Sequence, residues 1–127
     1  MVPITLLYAS ILGLLLIALS LGVIRERLQH RVSLGDGGVA ELQRAGRRHG
    51  NFIEYVPFAL LLVALVELNG TSAWVVHALG ATLVVGRVLH PLGLEAEFGV
   101  RVPRVLGTVA TLGVIAAASV VGILGAG

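Results

Sequence analysis

From Arg44 to Pro57 the chain reads Arg-Ala-Gly-Arg-Arg-His-Gly-Asn-Phe-Ile-Glu-Tyr-Val-Pro, and it runs straight on into the apolar stretch Phe58-Ala-Leu-Leu-Leu-Val-Ala-Leu-Val. At 100° per residue, Arg44, Arg47, Asn51 and Glu54 fall within about an 80° arc of one helix face, with Tyr55 beside it and His49 pointing away. Such a face offers guanidinium groups for carboxylates, an amide for peptide groups and a carboxylate for an ammonium, in a ladder about 15 Å tall. Arg47 and Glu54 lie beyond the three- or four-residue spacing of a helical ion pair. Each is therefore expected to find another partner, either arginines of other helices or a small ligand carrying both signs of charge. A carboxylate and an amide at the mouth of a membrane helix cost several kcal/mol unless they are partnered, which makes them functional candidates.

Other helix ends supply related groups. Arg25, Arg27 and Arg31 close a first apolar segment, Arg87 and His90 close a third, and Arg104 opens a fourth. Arg25, Arg31, Arg48 and Arg101 read as boundary arginines that set topology and meet anionic lipid. Arg87, a turn inside its helix, is placed to bind a ligand or to neutralise Glu54. His77 and Glu67 read as interfacial or bundle-bonding groups.

The elements that position these groups follow from composition. The 127 residues are 57% hydrophobic and 13% charged, with a mean hydropathy of +0.97. Soluble domains carry about 25% charged residues, so the chain reads as a single-domain membrane protein spanning residues 1–127. Cysteine is absent, which excludes disulfides, a thiolate metal site and a cysteine nucleophile; no metal site is expected. The basic residues are nine arginines and no lysine, and the net charge of +2 does not describe a nucleic-acid surface. Four apolar segments are long enough to cross a bilayer, at about residues 4–24, 45–68, 73–90 and 104–124. The first lacks a basic flank and a small-residue cleavage site and reads as a retained helix. Asn69-Gly70-Thr71-Ser72 signals a tight turn, and Pro91 to Pro103, with Gly93, Glu95, Glu97, Gly99 and Arg101, reads as a loop. The predicted fold class is thus all-α, a four-transmembrane-helix bundle.

All nine arginines sit in or beside the first and third connections. The positive-inside rule then places those connections in the cytoplasm and both termini on the other side. The fourth segment is rich in small residues (Gly107, Thr108, Ala110, Thr111, Gly113, Ala116, Ala117, Ala118, Ser119, Gly122), which allow close helix packing within one bundle or between subunits.

The pattern Arg-x-x-Arg-x-x-x-Asn-x-x-Glu-x-x-Pro, at Arg44, Arg47, Asn51, Glu54 and Pro57, resembles the MAPEG family, the membrane-associated proteins of eicosanoid and glutathione metabolism. Arg27 and Arg31-Val-Ser, Gly86-Arg87-Val-Leu-His90 and Arg104-Val-Leu-Gly107 extend the resemblance over essentially the whole chain. It implies a homotrimer of four-helix subunits with sites between neighbours that open to the cytoplasm, in a bacterial inner membrane with both termini periplasmic. By resemblance, glutathione is the co-substrate, held by Arg47, Asn51, Glu54 and Tyr55 with Arg87 and His90, while Arg27 and Arg104 come from the neighbouring subunit. Arg104 matches the family's catalytic, thiolate-stabilising arginine, and Arg101 is an alternative because the preceding loop aligns with a one-residue shift. Where eicosanoid-forming members carry a tyrosine one turn after the His90 position this chain has Leu94, and Val105 stands where prostaglandin-forming members have serine. Those departures point to a bacterial-type member and away from prostaglandin or leukotriene synthesis.

Three functions compete on these residues. The first is a glutathione-dependent transferase or peroxidase acting on lipophilic electrophiles from the membrane lipid. The second is a non-catalytic lipid-binding or scaffold protein of the same fold. The third, a small multidrug exporter, requires a glutamate in the first helix, and that helix is uncharged.

Overall fold

The computed structural model describes residues 1–93 and 102–127. Four helices account for nearly all of them: α1 (Pro3–His30), α2 (Ala40–Leu68), α3 (Ala73–Leu92) and α4 (Val102–Gly125). Each is long and apolar enough to cross a membrane. No strand occurs among the described residues.

The helix ends have local causes. Pro3 occupies the first turn of α1, where its missing N–H has no helical partner to lose. The next two amides donate to Glu67 on α2, Ile4 N to Oε1 at 2.9 Å and Thr5 N to Oε2 at 2.8 Å, and the Thr5 hydroxyl adds a bond of 2.6 Å. Glu67 thus caps α1 from a different helix. Asn69 does the reverse for α4, donating from Nδ2 to the Gly125 carbonyl at 3.0 Å. The last turn of α2 and the residue that ends it therefore tie down both terminal helices. At the other end of α1, Arg31 takes a left-handed conformation (φ 54°) and its N–H closes on the Arg27 carbonyl. The chain then turns through Gly35, Asp36 and Gly37. At Gly37 (φ 58°) a Cβ would stand 2.9 Å from a Val32 methyl, so both backbone and space require glycine.

Helix α1 runs past residue 24 to His30 and α2 starts at Ala40, ahead of residue 45, and two further boundaries differ from the reading of the sequence. Helix α3 continues through Pro91 and Leu92, and α4 starts at Val102, ahead of Pro103. Proline in a first turn leaves no bond unmade, and Pro91 sits in the last turn, where only the Arg87 carbonyl loses a donor. The remainder of that loop, with Leu94, Glu95, Glu97, Gly99 and Arg101, lies outside the described residues.

Helices α2 and α3 form the centre. Helix α1 packs on both, α4 packs on both, and α1 and α4 stand diagonally apart without contact among the described residues. The core is a seam: Phe52, Val56, Ala59, Val63 and Val66 of α2 meet Val76, Leu79 and Leu83 of α3, with Leu12 of α1 and Val114 and Ala118 of α4. These positions recur every three or four residues, the spacing of one helix face. Outward-facing Leu6, Leu14, Leu21, Leu61, Leu65, Val109 and Ile123 are exposed. Hydrocarbon outside accepts such side chains at no cost, and the bundle therefore presents an apolar exterior.

Candidate functional site

On α3 the core seam does not stay apolar. After Val76, Leu79 and Leu83 it continues into Gly86, Arg87 and His90, all buried. Arg87 is 1% exposed, which makes it the largest fully buried side chain of the described residues. Its Nη1 donates to Asn51 Oδ1 at 2.8 Å and its guanidinium carbon lies 5.7 Å from the centre of the Phe52 ring. A buried cation is tolerable only with such partners. Two polar atoms here lack a hydrogen-bond partner, Nε of Arg87 and Nδ1 of His90.

The bond decides which way Asn51 faces. Arginine has only donors, so Asn51 must turn its oxygen inward and keep its NH₂ for something else. The alternative in which Arg87 neutralises Glu54 is not what the structure shows. Glu54 pairs with Arg47, Nη1 to Oε1 at 3.8 Å, with side chains 53% and 66% exposed. This also corrects the expectation that Arg47 and Glu54 need other partners. Seven residues bring the helix almost back to the same azimuth, and the rise of about 10.5 Å is within reach of two long side chains extended toward each other. At that distance and exposure the pair is weak, contributing about 0–1 kcal/mol, and is open to exchange with a ligand's charges.

Helix α4 reaches the site by close backbone contact. A Cβ on Gly86 would fall 2.8 Å from Ala110 Cβ, and one on Gly107 would fall 2.5 Å from the Gly86 carbonyl and 2.8 Å from His90 Cβ. The Thr111 hydroxyl, buried at the same crossing, donates to the Gly107 carbonyl at 2.8 Å. This crossing sets Arg104 beside the end of α3, where a Cβ on Gly93 would meet the Arg104 backbone. Arg104 itself is exposed.

One subunit therefore brings together Arg47, Asn51 and Glu54 of α2, Arg87 and His90 of α3 and Arg104 of α4. Tyr55, partly buried, is on α2 next to Glu54, and its hydroxyl makes no hydrogen bond among the described residues. Arg27 stands apart. Its Nη1 donates to the Gly35 carbonyl at 2.8 Å and more weakly to Val32, tying down the first connection. It shares a hollow of about 510 Å³ with Arg47, Leu42, Gln43 and Asp36. Arg44, on the same arc as Arg47 in projection, faces α1 instead and pairs with Glu41 at 3.6 Å. The described residues contain no cluster of three metal-ligating side chains. Arg101 and Leu94 fall outside the described residues.

What the sequence reading missed is the anchoring: the Asn51–Arg87 bond, the Phe52 platform and the Gly86–Gly107 crossing. The last had a signal, since glycine stands in both the third and fourth helices close to a candidate polar residue. The first two had none, because helix azimuth does not say which neighbour a face meets.

Comparison with known proteins follows the same lines. The chain is 47% identical over 89 residues to the inner membrane protein YecN of Escherichia coli K12, covering 70% of this chain and 68% of the relative. The YecN protein of Escherichia coli O6:H1 matches to the same extent. The family description "MAPEG family" matches residues 5–124, which takes in all four helices. By this match over residues 5–124 and by the 47% identity to YecN, with four helices long and apolar enough to cross a membrane, the chain belongs to the MAPEG family.

Proposed function

We propose that this protein is a membrane-bound glutathione-dependent transferase or peroxidase acting on lipophilic electrophiles. In this reading it is a homotrimer of the bacterial inner membrane, with the arginine-rich connections and the site on the cytoplasmic side and both termini periplasmic. The observation that carries the reading is the exposed, loosely held Arg47–Glu54 pair at 3.8 Å beside an asparagine whose amide is fixed from behind by a buried arginine. An exposed pair of opposite charges can be replaced by the opposite charges of a zwitterion, and glutathione is one. Its ammonium suits Glu54, its two carboxylates suit Arg47 and the free Nη2 of Arg27, and its peptide carbonyls suit the donor NH₂ of Asn51 and the Tyr55 hydroxyl.

Arg104 is the group to stabilise the thiolate. A thiol of pKa about 8.5 is only a few per cent ionised at neutral pH. Lowering it by two units takes about 2.7 kcal/mol of preference for the anion, within the reach of a desolvated guanidinium. Desolvation is the condition, and Arg104 is exposed in the single subunit, so covering by a neighbouring subunit belongs to the proposal. The ionised sulfur then attacks an electrophilic carbon of a substrate arriving from the bilayer. The C–S bond forms as the leaving group departs with its electron pair. Reduction of a hydroperoxide consumes a second glutathione and yields the alcohol, water and the disulfide.

The exposure of Arg104 also favours one competing reading, a lipid-binding or scaffold protein of the same fold with no chemistry. Detergent-purified protein separates the two through glutathione binding and conjugation to a generic electrophile. Arg104→Ala is expected to abolish conjugation and leave binding, whereas Arg47→Ala and Glu54→Gln weaken binding. Absence of binding at millimolar glutathione refutes the enzyme reading, and binding without turnover selects the scaffold.

A further inference from the structure

A second charged hollow lies between α1 and α2, apart from the site above. It holds about 320 Å³ and is lined by Gly22, Arg25 and Glu26 of α1 and by Glu41, Arg44, Ala45 and Arg48 of α2. On α1 these are positions i, i+3 and i+4, and on α2 they are i, i+3, i+4 and i+7, so two facing helix stripes form the walls. None of the residues used to build the glutathione site is among them.

The charges are unequal. Three guanidinium groups face two carboxylates. Of the carboxylates, Glu26 lies 3.5 Å from the His30 ring and Glu41 lies 3.6 Å from Arg44. Arg25 is exposed and has no ion-pair or hydrogen-bond partner among the described residues. The Arg25 guanidinium is therefore available to a ligand's negative charge, such as that of a phosphodiester. The space beside Gly22 is open, since a Cβ there would touch nothing within 4 Å.

Depth identifies the ligand. Arg25 is the first charge after the uncharged run Ile4 to Ile24, the level at which α1 leaves hydrocarbon. On the same face of α1 lie Leu21 and Leu14, 58% and 71% exposed. Leu14 is eleven residues from Arg25, a rise of about 16 Å, which matches one leaflet of a hydrocarbon core about 30 Å thick. A charged cradle continuous with an apolar track of leaflet length suits a phosphate that carries an acyl chain better than a free one. We propose that the α1–α2 crevice binds an anionic phospholipid, its phosphate held by Arg25 and Arg44 with Arg48 at the rim and its chain lying along Leu21 and Leu14.

Native mass spectrometry of the detergent-purified protein, titrated with phosphatidylglycerol and with phosphatidylcholine, tests this. Phosphatidylglycerol is expected to bind about tenfold or more tighter. The double variant Arg25→Gln/Arg44→Gln is expected to lose that preference. Because removing two arginines can compromise folding, Gly22→Leu serves as an independent variant: it fills the crevice while every charge stays, and is expected to lower phosphatidylglycerol affinity to a similar degree. Equal affinity for the two lipids overturns the proposal, as does unchanged phosphatidylglycerol binding by either variant in folded form. Glycerol 3-phosphate, which carries the phosphate without the chain, is expected not to displace the lipid at millimolar concentration. Displacement at that concentration would assign the crevice to soluble phosphates and overturn the lipid reading.

Discussion

Separating Asn51 from Arg87 should be the most damaging single change at the site, and a double-mutant cycle measures why. Arg87 is 1% exposed, and the one hydrogen bond its guanidinium makes among the described residues, 2.8 Å to Asn51 Oδ1, crosses from α3 to α2. Hydrogen bonds to charged groups contribute about 1.5–3 kcal/mol in soluble proteins. Interhelical polar bonds in a membrane protein average about 0.6 and reach about 1.7 kcal/mol, because the unfolded chain in lipid finds other partners. A short, charge-assisted and buried bond belongs near the top of the second range, so the expected coupling is about 1.5 kcal/mol, roughly tenfold in the unfolding equilibrium. Asn51→Leu strands a buried cation and is expected to cost about 2–3 kcal/mol. Arg87→Met removes the cation and leaves one amide oxygen unpaired, at about 1–3 kcal/mol. The double variant should then be more stable than the sum of the two losses predicts. Denaturant unfolding in mixed micelles, read by circular dichroism at constant protein-to-detergent ratio, supplies the four free energies; the constant ratio matters because assembly shifts apparent stability. Additivity within about 0.5 kcal/mol would refute the view that this bond holds Asn51 in place.

Gly107→Ala forces a methyl to within 2.5 Å of the Gly86 carbonyl, a backbone atom that cannot swing aside. The expected cost is about 1–3 kcal/mol, visible as a lowered unfolding temperature, whereas Gly113→Ala, where a Cβ meets nothing within 4 Å, should be neutral on that measure. Glu67→Gln keeps the shape of the α1 cap but removes its charge at a helix N-terminus. It should lose about 0.5–1 kcal/mol and increase amide hydrogen exchange at Ile4 and Thr5, which it holds at 2.9 and 2.8 Å. Arg47→Ala breaks an exposed pair and should change stability by about 0–1 kcal/mol while weakening glutathione binding well beyond that; equal effects on both would remove Arg47 from the site. Gly37→Ala combines a positive φ with a 2.9 Å contact to Val32. It should cost about 1–2 kcal/mol and raise proteolysis of the first connection.

Some of this is legible in the sequence itself. The apolar runs are interrupted where arginine, glycine or proline must leave hydrocarbon, and for that reason four helices could be read from hydropathy alone. The grouping of Arg47, Asn51 and Glu54 on one face of α2 follows from helix geometry, which is a local property. The Arg47–Glu54 pair was misread from the same geometry, because a rule about neighbours three or four residues apart does not describe two side chains long enough to span two turns. Arg44 shared the projected arc with Arg47 yet faces α1, since an arc has two edges and only the packing of α1 decides which edge is covered.

By itself the sequence determined the solvent, the number of spans and the chemical inventory, because transfer free energy and helical periodicity act residue by residue along the chain. Only the tertiary structure decided which groups are anchors and which are available. Arg87 and Arg47 are the same residue type at the ends of neighbouring helices, yet the first is buried against Asn51 and Phe52 and the second lies 66% exposed beside Glu54. The difference comes from where α3 and α4 approach through Gly86 and Gly107, a contact between residues far apart in sequence whose consequence for a side chain on α2 no local rule contains.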